Sequence, residues 1–558
     1  MESSDPARVR RWLSGLTNSS QRWIRATVLA GVWVGLATIA QMALLAWLVY
    51  QGIIEHQPVA SLTPAFLVLV AVLMLRALGQ GLQTRFAARC SEEVRREVRR
   101  LLHRKWQSLG PVALSDASAA SLTREWLDHV EALHGYFARF LPQMMLAVIV
   151  PLLILVVVFW LDWLAGIFLV LSAPLIPLFM ALVGMGAEKV NQQHFETVSR
   201  LSGQFLDKVR GLTTLQLFGQ TAQASDTLHQ RSDQFRLITL KTLKIAFLSS
   251  AVLEFFASVA IAVIAIYIGF GLLGYISFGP SSELTLFSGL LILLLAPEFF
   301  QPLRTLSQHY HDRAAALGAS AEIMARLEQP ISQPSQTKSS TTSDNASVIA
   351  IDGVSLCYGN GLKVINNVSL TVKQGETIVL TGPSGGGKSS LLHMLAGFLQ
   401  PDSGSISVFG KTAGEQPFGW LGQKGFWIQG TWADNLRMTT PDASDIAIEN
   451  ALHQVGLADL VEHREHGIYS TIGEDGQGLS GGQARRLSLA RIFLADYDLV
   501  LLDEPTAGLD ATSEIHVLEA LHKLSQAGKT LILSTHHQAL LTLADHLLIT
   551  NDGEVKHA

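Results

Sequence analysis

Gly382-Pro383-Ser384-Gly385-Gly386-Gly387-Lys388-Ser389-Ser390, written GPSGGGKSS, decides how this 558-residue chain is read. The run has the form G-x-x-x-x-G-K-S, from Gly382 through Gly387 and Lys388 to Ser389. The β-branched stretch Thr377-Ile378-Val379-Leu380-Thr381 predicts a strand leading in. Leu391-Leu392-His393-Met394-Leu395 predicts a helix leading out. A phosphate cradle needs strand, glycine loop and helix in that order, and a chance glycine-rich turn lacks the flanks. Glycines let successive backbone N–H groups converge on an anion, and the helix N-terminus adds its positive dipole end. Lys388 is then placed to reach the outer phosphates and Ser389 to ligate Mg²⁺.

A second nucleotide motif is Leu499-Val500-Leu501-Leu502-Asp503-Glu504. Its unbroken apolar run predicts a strand buried on both faces. Asp503 falls at the strand end, where open α/β sheets bind ligands, and a carboxylate there can hold Mg²⁺ through water. Glu504 is placed to polarise an attacking water as general base. Standing about 115 residues after the glycine loop, the pair gains weight it would lack alone.

Outside this region the composition changes character. Hydrophobic residues make up 49% of the chain and charged residues 16%, against about 25% charged in ordinary soluble domains. Mean hydropathy is +0.31, which points to a membrane protein. A net charge of −5 gives no support for nucleic-acid binding. The two cysteines, Cys90 and Cys357, fall in separate predicted regions, which argues against a structural disulfide. Arg8, Arg10, Arg11, Arg22 and Arg25 precede a first apolar stretch too long for a signal-peptide core, so it reads as a retained span.

Six apolar stretches reach the roughly 20 residues that a bilayer requires: 26–50, 62–82, 140–161, 164–183, 245–273 and 284–303. Residues 51–61, the turn at Asp162 and residues 274–284 hold no Lys or Arg. The opposite connections are rich in them, from Arg85 to Lys105 and from Lys189 to Lys244. The positive-inside rule then places both termini and both long connections in the cytoplasm. Those connections carry helical charge patterning, as in Ser91–Arg100 (SEEVRREVRR), so the spans are expected to continue as cytoplasmic helices. Their tips, near 113–121 and 219–225, are expected to touch an ATP-binding domain, plain connecting loops being the alternative.

Arg76, Glu254 and Glu298 lie in or near spans, where ionisable groups are functional candidates by default. Arg76 is close enough to the cytoplasmic end to snorkel. For Glu254 and Glu298, substrate contact and structural pairing are both open. Pro297 is expected to kink its helix. His309 and His311 follow the sixth span, but residues two apart point to opposite sides of a helix, which disfavours a shared metal. Residues 329–347 are rich in Ser, Thr, Gln and Pro and read as a flexible linker. The domains expected are therefore 1–328, helical and membrane-embedded, and 348–558, an α/β nucleotide-binding domain.

Leu479-Ser480-Gly481-Gly482-Gln483 makes the resemblance specific. LSGGQ between a glycine loop and an Asp-Glu strand resembles the signature of the ABC transporter ATPases; a helix-capping turn is the bland alternative. The resemblance implies that Ser480, Gly481, Gly482 and Gln483 cap the γ-phosphate of ATP held by a partner's glycine loop, so two ATPase domains are required. It further implies an adenine-stacking role for Tyr358, with a core tyrosine as the alternative. Gln423 resembles the glutamine that senses Mg²⁺, and His536 the switch histidine that contacts the γ-phosphate. His537 is the adjacent competitor. Asp510 resembles the D-loop aspartate, although Ala507 and Gly508 depart from the usual Ser-Ala.

The resemblance covers the whole chain, one six-span membrane domain followed by one ATPase domain, the layout of an ABC exporter half-transporter. Stretches such as Ala173–Met180 and Ala296–Arg304 are similar to the CydD branch of that family. This implies a bacterial inner-membrane heterodimer with a second, CydC-like chain, a small-molecule cargo that is a thiol (cysteine or glutathione) or haem, and a part in cytochrome bd assembly. ATP and Mg²⁺ are the implied cofactors. Two other functions share these motifs: a regulatory subunit whose partner does most of the hydrolysis, and a lipid or multidrug exporter.

Overall fold

The computed structural model describes residues 6–115, 119–174, 205, 208–209, 211–276, 278–330, 347–358, 363–423, 425–473, 476 and 478–558. The chain divides into two compact units. One is Met1–Lys105 with Ser118–Gln329, and the other is Trp106–Ala117 with Pro330–Ala558.

The first unit is helical. Its main helices are α1 (Thr17–Ile53), α2 (Val59–Ser115, of which residues 59–105 belong to this unit), α3 (Leu141–Leu161), α4 (Trp163–Ser172), α5 (Thr221–Leu272), α6 (Leu286–Gln308) and α7 (Tyr310–Glu328). Among the described residues five helical runs are long and apolar enough to cross a membrane. The fourth expected span is represented by α4, and its residues 175–183 lie outside the described residues. At 1.5 Å per residue, α2 and α5 are each about 80 Å long, more than twice the hydrocarbon thickness of a bilayer. They therefore continue well past any span, as their charge patterning predicts. Of the tip expected near 113–121, residues 116–118 lie outside the described residues; α2 ends at Ser115 and a further helix begins at Ala119, and α2 also breaks at Gly110, whose φ is +75°. Pro111 follows it and pre-sets the first turn of the next helical piece.

The cytoplasmic part of α2 is more than a solvated helix. Cys90, Val94, Val98 and Leu102 recur every four residues and are fully buried. They pack with Val130, Leu133, Phe137, Ala316 and Ile323, so the arginines read from the sequence occupy only the opposite face. A separate apolar core joins Ile154, Val158, Leu169, Ile264, Ile268, Ile292, Leu295, Phe299 and Phe300.

Asp162 closes the turn between α3 and α4. Its Oδ1 accepts from the N–H groups of Leu164 and Ala165, each at 2.9 Å, capping α4. Its Oδ2 accepts from the Tyr267 hydroxyl of α5 at 2.9 Å. A carboxylate buried to 1% exposure is tolerated because hydrogen bonds replace its water.

The second unit is α/β. Its strands begin with β1 (Ser347–Cys357), β2 (Lys363–Lys373), β3 (Thr377–Thr381), β4 (Ser403–Val408), β5 (Lys411–Thr412) and β6 (Gly419–Leu421). They continue with β7 (Gly430–Thr431), β8 (Thr471–Ile472), β9 (Leu499–Asp503), β10 (Thr530–Ser534), β11 (His546–Asn551) and β12 (Glu554–His557). An antiparallel sheet has the order β2-β1-β4-β5, and β7 pairs with β8 alone. The main sheet has the order β12-β11-β3-β10-β9-β6 and is parallel except for β12. Side chains alternate across it. Ile378, Leu380, Leu499, Leu501 and Ile532 enter one core, while Val379, Val500, Leu502, Leu531 and Leu533 enter the other. Burial on both faces explains why these strands read as unbroken apolar runs.

Asp162→Ala should lower the stability of the helical unit by about 2 kcal/mol or more, because it removes a helix cap and orphans a buried hydroxyl. Tyr267→Phe should cost less, since the cap survives. Thermal melting of the detergent-purified protein compares the two.

Candidate functional site

Four neighbouring parallel strands end on the same edge of the main sheet, and each delivers part of one site. β3 leads into Gly382–Ser390, β10 into His536, β9 into Asp503 and Glu504, and β6 into Gln423. Ligands bind at the carboxyl ends of such strands because the loops there diverge and leave a crevice.

The glycine loop has the backbone its sequence predicts. Gly382 has a φ of +138°, and a β-carbon there would lie 2.0 Å from the carbonyl oxygen of Thr550. Only glycine fits. The loop opens directly into α8 (Lys388–Leu395). The Lys388 ammonium donates to the carbonyls of Gly382 at 2.8 Å and Pro383 at 3.0 Å. Burial holds it below the ordinary lysine range, opposed by the charges of Glu504 and Asp503. The Ser389 hydroxyl lies 3.0 Å from Asp503 Oδ1. Hydroxyl and carboxylate oxygens at this separation are the donor set of a hard divalent cation. Tyr358 is half-exposed, and its hydroxyl meets Ser390 Oγ at 3.0 Å, which keeps the ring beside the loop.

Asp503 Oδ1 also accepts from Ser534 Oγ at 2.6 Å. The next residue, Glu504, adopts a left-handed backbone with φ +49°, which costs a non-glycine residue about 1–3 kcal/mol. Its N–H donates to the Ser534 carbonyl and hydroxyl, each at 3.1 Å. Its carbonyl accepts from Arg485 at 2.8 Å. So held, the Glu504 carboxylate stands 3.4 Å from His536 Nε2. His537 is engaged elsewhere, with Nδ1 3.1 Å from Glu514. Of the two adjacent histidines, His536 is the one that shares the site with Glu504.

Gln423 is placed by its backbone, whose carbonyl accepts from Arg485 at 3.2 Å, and its side chain is exposed. Ser480 caps α9 (Gly481–Ala495) in a reciprocal box: its Oγ accepts from Gln483 N at 3.2 Å, and its own N–H donates to Gln483 Oε1 at 2.9 Å. The capping alternative for LSGGQ is thus realised, and it leaves Ser480 and Gly481 exposed. Asp510 caps α10 (Ala511–Gln526) through Ser513 N at 2.8 Å. That backbone hydrogen bond holds its carboxyl below the usual aspartate range.

Residues 365–507 match the family model described as "ABC transporter", and residues 11–296 match "ABC transporter transmembrane region". The chain belongs to the ABC transporter family. Within it the order is that of an exporter half-transporter, one transmembrane region before one ATPase domain. This half-transporter is 38% identical to the Transport ATP-binding protein AarD of Providencia stuartii, covering 100% of the chain and 95% of that protein. It is 37% identical to the Glutathione/L-cysteine transport system ATP-binding/permease protein CydD of Escherichia coli, again over 100% of the chain and 95% of that protein. Such full-length similarity makes it a CydD-like exporter and an ATPase. A bacterial Atm1-family ABC exporter with ATP bound superposes with a TM-score of 0.78 at 19% identity, covering 96% of this chain and 94% of that one, which shows the shared fold.

Two residues of this half-transporter's site escaped motif reading. Buried Arg485 donates to the carbonyls of Gly422, Gln423 and Glu504, so it joins three motifs that are far apart in sequence. Ser534 carries both Asp503 and Glu504. The only sequence signal for either is its position beside a known motif, two residues after LSGGQ or two before His536.

Arg485→Met should destabilise the ATPase unit by about 3 kcal/mol, because buried carbonyls lose a charged donor. ATP hydrolysis, measured by phosphate release, should fall at least about tenfold as Glu504 loses its support. At Gly482 a β-carbon would lie 2.1 Å from Ser513 Oγ, whereas at Gly481 nothing stands within 4 Å. Gly482→Ala should therefore cost about 1–3 kcal/mol, and Gly481→Ala should leave melting unchanged.

Proposed function

We propose that this chain is the CydD-like half of a heterodimeric exporter in a bacterial inner membrane, with both termini cytoplasmic. Its cargo is cysteine or glutathione, with haem as the competing cargo, and the export serves cytochrome bd assembly. ATP sits in residues 382–390 with its adenine on Tyr358. Lys388 and His536 meet the γ-phosphate, and Glu504 activates water. Ser389, Asp503 and Gln423 hold Mg²⁺, which neutralises the phosphate charge. Ser480, Gly481, Gly482, Gln483 and Asp510 face the ATP bound by the partner. Residues 1–328 form the membrane domain, 329–347 the linker and 348–558 the ATPase domain.

The observation that carries this reading is the convergence on one sheet edge of the glycine loop, Asp503, Glu504 and His536, in a chain whose relatives include both halves of such a pair. A CydC named for glutathione/L-cysteine transport in Bacillus subtilis is 32% identical over 85% of the chain and 82% of that protein. Support for the two-chain clasp comes from LSGGQ itself: among the described residues, no hydrogen bond joins it to this chain's own glycine loop. Closure of the two ATPase domains would pass through the long cytoplasmic helices and exchange inward- and outward-facing states.

Glu504→Gln should bind ATP but turn it over at least about a hundredfold more slowly, trapping the closed form. Wild-type turnover at this chain's glycine loop would remove Glu504 from the mechanism. Gly481→Ala should depress hydrolysis at the partner's glycine loop without changing stability. Substituting Lys388 and the partner's equivalent lysine separately, in the purified pair, distinguishes a working site here from a regulatory one.

A further inference from the structure

The helical unit holds a cavity of about 250 Å³ between α1, α2, α3 and α6, and its wall is unusually polar for a membrane bundle. Arg76, Gln80, Gln83, Gln143, Glu298 and Gln301 line it. Gly31 and Gly35 form part of the wall and let α1 approach α3 closely: a β-carbon at Gly31 would lie 2.5 Å from Leu146 Cδ1.

The charged groups nearby fall into two classes. Glu254 is paired with Arg304 at 3.1 Å, so its charge is already answered within the bundle. Arg76 and Glu298 make no ion pair among the described residues. Arg76 reaches across to α1. One guanidinium nitrogen donates to Gln41 Oε1 at 2.7 Å, while its buried Nε has no hydrogen-bond partner among the described residues. An arginine in a span costs several kcal/mol, and one neutral amide offsets little of that. Two charges of opposite sign that no ion pair answers among the described residues, with four carboxamides in the same small cavity, form the complement of a zwitterion.

We propose that this cavity binds an amino-acid-like or short-peptide zwitterion. Arg76 receives its carboxylate, Glu298 its ammonium, and the glutamines its amide or remaining polar groups. This rests on the export reading above and favours the thiol cargo within it. A flat apolar macrocycle would bury its faces against carboxamides, and a lipid tail would meet charge.

The test is calorimetric titration of the full-length pair in nanodiscs with cysteine, N-acetylcysteine, which lacks the ammonium, cysteamine, which lacks the carboxylate, and haem. Arg76→Gln should weaken cysteine and N-acetylcysteine at least about tenfold and leave cysteamine unchanged. Glu298→Gln should weaken cysteine and cysteamine and spare N-acetylcysteine. Arg76→Lys should recover part of the cysteine affinity, and the ligand-induced rise in Tm gives the same comparison from the folded fraction alone. Cysteine binding at wild-type strength in both variants, or equal loss of all three thiols, overturns the site but leaves the thiol reading standing. Haem binding by wild-type protein that takes up none of the thiols overturns the cargo reading itself.

Discussion

Asp503 Oδ1 accepts two hydrogen bonds, from Ser389 and from Ser534, and the ATPase site is organised around that oxygen. One bond reaches the helix that follows β3, the other the end of β10, so a single carboxylate ties three adjacent strands together. Its position is set by burial. β9 has apolar neighbours on both faces, which leaves the strand end as the first place where a charge can stand. Ser534 then fixes the backbone of Glu504 in a conformation it would otherwise avoid, and so aims the carboxylate at His536. Strain at Glu504 is sustained because hydrogen bonds from both sides over-determine it.

Much of this was legible in the sequence because it is local. The glycine loop needs a strand before it, a helix after it and residues without β-carbons within it, and all three are written within twenty or so residues. Asp503 and Glu504 are equally local. Arg485 is not: its role exists only when Gly422, Gln423 and Glu504 have been brought around it, and no spacing announces that. The stripe from Cys90 to Leu102 was hidden for a different reason. Charges dominate the stretch by count, but a helix needs only one residue in four to be apolar to bury a face. The break in α2 at Gly110 went unread, although a Gly-Pro pair marks a turn more forcefully than Ser and Ala do.

In the helical unit the same accounting of charges separates structure from function. Asp162 has two N–H donors and a hydroxyl, and Glu254 has Arg304; each charge is satisfied inside the fold. Arg76 and Glu298 have no ion pair among the described residues, although they line one cavity. Sequence alone could not divide these residues, because all are ionisable groups in or beside apolar stretches. What divides them is whether an opposite charge or a full set of donors arrives, which is a property of packing: Asp162 receives three donors and Glu254 an arginine, whereas Arg76 meets one neutral amide, Gln41.

LSGGQ joins a helix cap to an exposed glycine. The capping box satisfies Gln483 N and Ser480 N, and Ala484 N bonds the Ser480 carbonyl. A helix begins with orphan N–H groups, and here those left over belong to Gly481 and Gly482, the two residues with no side chain to cover them. The cap therefore does not compete with anion binding. It orders the first turn and leaves the Gly481 N–H at an exposed tip, while Gly482 is buried against Ser513. The cap and the proposed phosphate contact draw on different hydrogen-bonding groups of the same five residues, so the capping box does not argue against that proposal.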